Sequence, residues 1–408
     1  MADTDAGHDI GASERLLSAV EQVMQVDEVT RGSQKQGFSV RFRGRLMVDS
    51  QEAYDRLEGV FTQHGTTLVF RKEGEDHLVL AIPGVIQPRP SNPYLNLLVF
   101  VLTVLSVLFT GAMYSVEFPP QAGLAEQLRL TFLSLPEGIP FAASLLAILL
   151  AHEFAHYIAA RRHNTAVSLP YFLPFPLSPF GTMGAVILMK QPPRTRRAVL
   201  DIGLAGPLAG LVVAIPVLIL GLSLSEVGSL PVGSSPSQPF VLEGNSLLYL
   251  GAKYLTKGEL LPAPVSYGGL HPLLYWARYL FLGQPVPYGG RDVMLHPVAW
   301  AGWAGLLITA VNLIPLGQLD GGHIIHALLG RRAATLRPFI LVAMVGLGFV
   351  WSGWWLWAAL LFFLGRSTSQ PLNGILPLDR RRKALAVLGL IVFILVFTPV
   401  PLNAYGGY

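Results

Sequence analysis

Two histidines and a glutamate stand inside an apolar stretch that ought to exclude them, SLLAILLAHEFAHYIAARR over residues 144–162. On insertion scales an ionisable side chain at membrane depth costs roughly 2.5 to 3.5 kcal/mol, so a cluster of them calls for a compensating role. His152 and His156 are four residues apart. In a helix that spacing puts both imidazoles on one face, one turn apart, as two ligands of a single metal ion require. Glu153 lies beside them, free to take a proton from a water activated by that ion. A helix whose histidines bond to neighbouring carbonyls is the plainer alternative, and the insertion cost argues against it.

Two imidazoles leave a tetrahedral zinc one protein ligand short, with the fourth position kept for water. The apolar segment AGLLITAVNLIPLGQLDGGHIIHALLG supplies a carboxylate, Asp320. Pro315, Gly317, Gly321 and Gly322 interrupt the helix there and let Asp320 turn inward. The competing use of Asp320 is as a helix cap. His323 and His326 compete for the third position, with His323 better suited to support the ligands than to replace Asp320. Asn312, eight residues before Asp320, could polarise a peptide carbonyl or hold an extended substrate, or simply bond two helices together. The chain has no cysteine, which excludes disulfides, thiolate metal sites and a cysteine nucleophile. A single ion held by His and carboxylate is best read as zinc.

These residues need a membrane around them. The 408-residue chain is 52% hydrophobic and only 13% charged, with a mean hydropathy of +0.49, which places it in the membrane class. The predicted fold is a polytopic α-helical membrane protein of about six or seven transmembrane segments. They fall near 94–115, 140–161, 198–222, 296–328, 337–351, 353–366 and 384–401, with 337–366 readable as one span or two. Residues 1–90 read as a small cytoplasmic α+β domain of βαββ order, followed by a Pro-rich linker. The transmembrane domain is 91–408, with an extracytoplasmic insert at 223–295. The net charge of +4 comes from clusters such as Arg161–Arg162, Arg194–Arg197 and Arg380–Lys383 beside apolar segments. That distribution reads as topology rather than nucleic-acid binding. Trp351, Trp354, Trp355 and Trp357 are expected at an outer aromatic belt. Asp201 is expected to pair with Arg196 or Arg197, and Gly203, Gly206 and Gly210 to serve helix packing.

Between the second and third spans, a Pro-rich stretch gives way to TMGAVILMK, which has strand character. A helical substrate hides its carbonyls in its own hydrogen bonds. An edge strand at 182–189, with Gly184, Ala185 and Val186 as contact residues, could hold such a peptide unwound by β-augmentation. A loop that merely packs is the alternative.

HEFAH in one apolar segment and NLIPLGQLDGG in another resemble the site-2 protease family of intramembrane metalloproteases, whose pattern is HExxH plus NxxPxxxxxDG. FGTMGAVI and AGPLAG are similar too, so the resemblance covers roughly 94–400. It implies a zinc metalloendopeptidase that cleaves the transmembrane helix of a membrane-protein substrate within the lipid bilayer. His152, His156 and Asp320 would be its ligands and Glu153 its base. The N-terminal module and the insert look most like the branch shared by bacteria and chloroplasts, named in plants for ethylene-dependent gravitropism deficiency. Two readings from other classes compete, a metal-ion transporter and an inactive scaffold. Glu153 speaks against the first and the complete residue set against the second. The opening residues resemble neither a signal nor a transit peptide, and the expected location is a prokaryotic plasma membrane rather than a chloroplast one.

Overall fold

The computed structural model describes residues 4–33, 36–88, 90–119, 121–233, 240–365 and 370–405. Residue 366, the end of the expected sixth segment, lies outside them. The chain opens with α1 (Thr4–Glu21), β1 (Met24–Arg31), β2 (Val40–Leu46), α2 (Ser50–Gln63), β3 (Thr66–Glu73) and β4 (Asp76–Pro83). The Asp49 side chain caps α2 by accepting from the Gln51 N–H. Ala53, Tyr54, Leu57 and Phe61 recur at helical spacing and bury against Phe42, Phe70 and Val79 of the sheet. The strands are antiparallel in the order β1-β2-β4-β3.

The expected βαββ order is therefore corrected by one more strand, β1, and a helix before it. MQVDEVTR hides its strand character because a bulge between Val26 and Glu28 breaks the alternation. Gly44 sits opposite that bulge, where an added Cβ would lie 1.9 Å from the Gln25 carbonyl oxygen.

Then follow α3 (Pro93–Ser115), α4 (Leu124–Leu133), α5 (Ile139–Arg162), the hairpin β5 (Tyr171–Pro174) and β6 (Thr182–Val186), and α6 (Arg196–Leu224). The insert contains β7 (Glu226–Ser229), β8 (Phe240–Glu243), α7 (Leu247–Lys257), α8 (Pro272–Leu282) and β9 (Arg291–Met294). The chain ends with α9 (Pro297–Asn312), α10 (Asp320–Leu329), α11 (Ala333–Gly348), α12 (Gly353–Leu364), α13 (Arg380–Val396) and β10 (Leu402–Tyr405).

Among the described residues, three helices are long and apolar enough to cross a membrane, namely α3, α5 and α6. The expected fourth span is two helices, α9 and α10, parted by residues 313–319. Helices α11, α12 and α13, of 16, 12 and 17 residues, measure about 24, 18 and 26 Å at 1.5 Å per residue. Each falls short of a hydrocarbon layer of roughly 30 Å. Trp354 is buried and donates to the Pro399 carbonyl (2.6 Å), and Trp351 donates to Leu402 (2.8 Å). Both indoles thus tie α12 and its preceding turn to the chain's end, a role beyond that of a lipid-facing belt.

At the centre α5, α6 and α9 pack together, and small residues let them close up. A Cβ on Gly302 of α9 would lie 2.7 Å from the Leu218 Cα of α6. Against α3 lies the β5–β6 hairpin. Asn96, near the start of that helix, donates to the Leu169 and Pro170 carbonyls (3.0 and 3.1 Å), Ser106 to Gly181 (2.6 Å), and Tyr114, near its end, to Pro179 (2.6 Å). Asn96 to Tyr114 is about 27 Å of helix, so the hairpin with its approach runs nearly the depth of a bilayer with side-chain donors satisfying its carbonyls.

The N-terminal sheet is docked by the strand-like segment before α13. Phe70 N–H donates to the Leu372 carbonyl (2.8 Å), Gly374 N–H to Phe70 (3.1 Å), and the buried Asn373 amide to the Ser50 carbonyl (2.9 Å). Arg194 adds ion pairs to Asp55 and Glu58.

Candidate metal centre

Helix α5 carries His152, Glu153 and His156, all buried. Helix α9 and, after the break, α10 both run antiparallel to α6, for Ala299 and Gly302 meet Gly221 and Leu218 near its end while Asp320 and Ala327 meet Gly203 and Arg196 nearer its start. Gly317 takes a positive φ of 63°, and α10 then begins with Asp320. The residue before the helix is Leu319, with no side-chain cap bond, so Asp320 is not spent as a cap. Its Oδ2 lies 3.3 Å from the Nε2 of His152 and 3.3 Å from the Nε2 of His156. The two imidazole nitrogens are 3.1 Å apart.

Three ligand atoms held about 2.0 to 2.1 Å from a tetrahedral zinc are about 3.3 to 3.4 Å from one another. The observed triangle has nearly those edges. His156 Nδ1 faces the Ile202 carbonyl at 2.7 Å, and a carbonyl can only accept. Nδ1 therefore donates to it, which leaves Nε2 facing Asp320 and His152 as the atom available to a metal. The donor set fits one small divalent cation, and among the described residues it is the one group of His and carboxylate side chains so placed.

These side chains line a cavity of about 360 Å³. Glu153 shares it with the three converging residues. Ala185, Val186, Asn312 and His323 line it too. Gly184 does not; with φ of +94° it sits beside the irregularity in the β5–β6 pairing between Phe172 and Pro174. Strand β6 ends at Val186, short of the expected 189. The Asn312 amide lies 3.4 Å from His152 Nε2, so it borders the triangle of ligand atoms.

Two further features were not legible in the sequence. The glycines of α6 form the floor of the site, for a Cβ on Gly206 would lie 2.0 Å from His156 Nε2 and one on Gly210 3.1 Å from His152 Nδ1. Their spacing alone signals only close packing. Asp201 pairs not with Arg196 or Arg197 but with Arg382 (2.7 Å) and His163 (2.9 Å). It ties α6 to α13 and to the end of α5.

The family model described as Peptidase family M50 matches residues 140–353. A chloroplastic protein named as probable zinc metalloprotease EGY1 in Oryza sativa subsp. japonica is 29% identical over 78% of this chain and 52% of its own length. Its Arabidopsis thaliana namesake is 28% identical over 78% of this chain and 55% of its own. A chloroplastic protein named as probable zinc metalloprotease EGY2 in Oryza sativa subsp. indica is 27% identical over 89% and 62%. The chain spans little more than half the length of these relatives. No solved structure matches it. The expected prokaryotic plasma membrane is corrected by these names, all chloroplastic, which point to a chloroplast membrane instead. The polar opening residues misled because a shared region does not reveal what leader a protein carries.

Proposed function

The chain belongs to peptidase family M50, and from that premise we propose that it is an intramembrane zinc metalloendopeptidase cutting transmembrane segments of membrane-protein substrates. The observation that carries the proposal is the convergence of His152, His156 and Asp320 on one point inside an apolar helical core, with Glu153 in the same cavity. His152, His156 and Asp320 would hold one zinc ion. When bound, such an ion acidifies water and polarises a carbonyl as a Lewis acid.

The remaining steps belong to the chain. Glu153 takes the proton from the attacking water as it adds to the peptide carbonyl, then gives it to the departing amide nitrogen as the C–N bond breaks. Asn312 donates to the developing oxyanion. Ala185 and Val186 of β6 hold the unwound substrate extended beside these groups. Helices α9 with α10, α11 with α12, and α13 complete the six or seven crossings, with the N-terminal module on the side of the basic clusters.

The test is metal content and cleavage of a transmembrane peptide by the detergent-purified protein. One zinc per chain, retained in Glu153→Gln with cleavage reduced about 10²- to 10⁴-fold and lost in Asp320→Ala, is the expected result. A protein whose Glu153→Gln variant cleaves as fast as the parent would end the proposal.

A further inference from the structure

Where the N-terminal sheet meets the end of α10, cationic side chains converge with no carboxylate among the described residues there. A cavity of about 260 Å³ is lined there by Arg71 and Lys72 of β3, Arg196 at the start of α6, His326 of α10, and Arg331 and Arg332 just beyond that helix. Among the described residues no acidic one lines it. Lys72 has Glu75 at 3.8 Å, but that carboxylate is 90% exposed and screens it little.

Arg71 and Arg196 are fixed in place by carbonyls. Arg71 Nη1 donates to Phe70 (2.8 Å) and Pro371 (2.8 Å), and Arg196 donates to Ala327 through Nη2 (2.7 Å) and Nε (3.1 Å). Carbonyls orient a guanidinium without cancelling its charge. The C-terminal dipole of α10 supplies about half a negative charge at most, against five permanent cations. Burial, and next the charge of Arg331, push Arg71 down to about 10, the opposite of what a carboxylate partner would do.

Like charges gathered in a half-buried cavity repel unless an anion completes the cluster. Guanidinium forks match phosphate oxygens in pairs. We propose that this cavity binds a phosphate-bearing anion, which bridges the N-terminal sheet to the end of α10. Two sources present the same chemistry, the headgroup of an anionic phospholipid and a soluble phosphate. Because α10 begins at Asp320 and Arg196 holds its last carbonyls, the bound anion stiffens the helix that positions Asp320.

The test uses the full chain in nanodiscs and reads the unfolding midpoint and amide exchange over 326–332 and 370–374. Pyrophosphate is titrated into phosphatidylcholine discs against sodium chloride of matched ionic strength. A second set of discs carries a minority of phosphatidylglycerol. The expected result is stabilisation and slowed exchange by pyrophosphate, by phosphatidylglycerol or by both, the effective arm naming the source. Arg331→Gln combined with Arg332→Gln, both exposed positions, should weaken the effect about tenfold or more. Lys72→Gln should weaken it independently. No response in either arm, an equal response to sodium chloride, or a double variant that responds like the parent would overturn the site. None of these readouts depends on peptidase activity.

Discussion

Gly206 of α6 faces His156 so closely that an added Cβ would stand 2.0 Å from its Nε2, the atom that faces Asp320 and His152 in the candidate metal site. One hydrogen on α6 is all the space allows. Gly206→Ala should therefore displace the imidazole and lower metal affinity by about 10- to 100-fold, with secondary structure kept. Zinc content after dialysis, beside circular dichroism, is the measurement. Unchanged zinc would mean that α6 can move aside.

Asn312 offers a sharper separation of two roles. If its amide donates to the oxyanion, Asn312→Ala should lower kcat by about 10²- to 10³-fold while zinc content and KM change little. If it only bonds α9 to α5, activity should persist and the cost should appear as about 1 kcal/mol of stability. Steady-state kinetics on a transmembrane peptide distinguish the two.

The spacing of His152 and His156 and the Pro and Gly residues around Asp320 made their meeting legible before any fold was known, because helical periodicity and helix breakers act locally. The floor of the site was not legible. Gly203, Gly206 and Gly210 read the same whether they face another helix or a ligand set. Likewise Asp201 finds Arg382, 181 residues away, past nearer cations in the sequence. The strand β1 was lost to its bulge, and the docking role of Asn373 to a separation that no local pattern spans.

That asparagine makes its own prediction. It is 1% exposed, and its side chain bonds the Ser50 carbonyl and the Ile375 N–H. Asn373→Ala should cost about 1 to 3 kcal/mol at this contact and loosen the N-terminal sheet from the helices. Arg194→Ala, whose pairs are half exposed, should cost no more than about 1 kcal/mol. Limited proteolysis in the linker between Pro83 and Pro93 would report the difference, and equal cleavage rates for the two variants would contradict it.

The insert holds a buried ion cluster. Lys253 Nζ lies 2.9 Å from Glu243 and 3.0 Å from Asp292, and Tyr249 OH donates to Glu243 at 2.8 Å. Burial pushes the Asp292 carboxyl up to about 6, against the pull of Lys253 and with the help of Glu243. An unfolded Asp titrates near 3.9, so between about pH 4 and 6 the folded state holds the extra proton. The contribution of Asp292 to stability therefore falls as pH rises through that window and levels off above it. Amide protection in β9, corrected for intrinsic exchange, should be greater at pH 5 than at pH 7, and Asp292→Asn should remove the difference. Lys253→Met, which strands two carboxylates, should cost about 3 to 5 kcal/mol.

The pairing of Phe70 with residues 372 and 374 also sets a timetable for biogenesis. The outer edge of β3 has no partner until some 300 further residues have left the ribosome. At roughly 5 to 20 residues per second that interval is about 15 to 60 s. For that time the nascent sheet presents an open strand edge, the feature most prone to pairing with a foreign chain. Ser50 and Phe70 are thus made some 300 residues before the segment that closes over them.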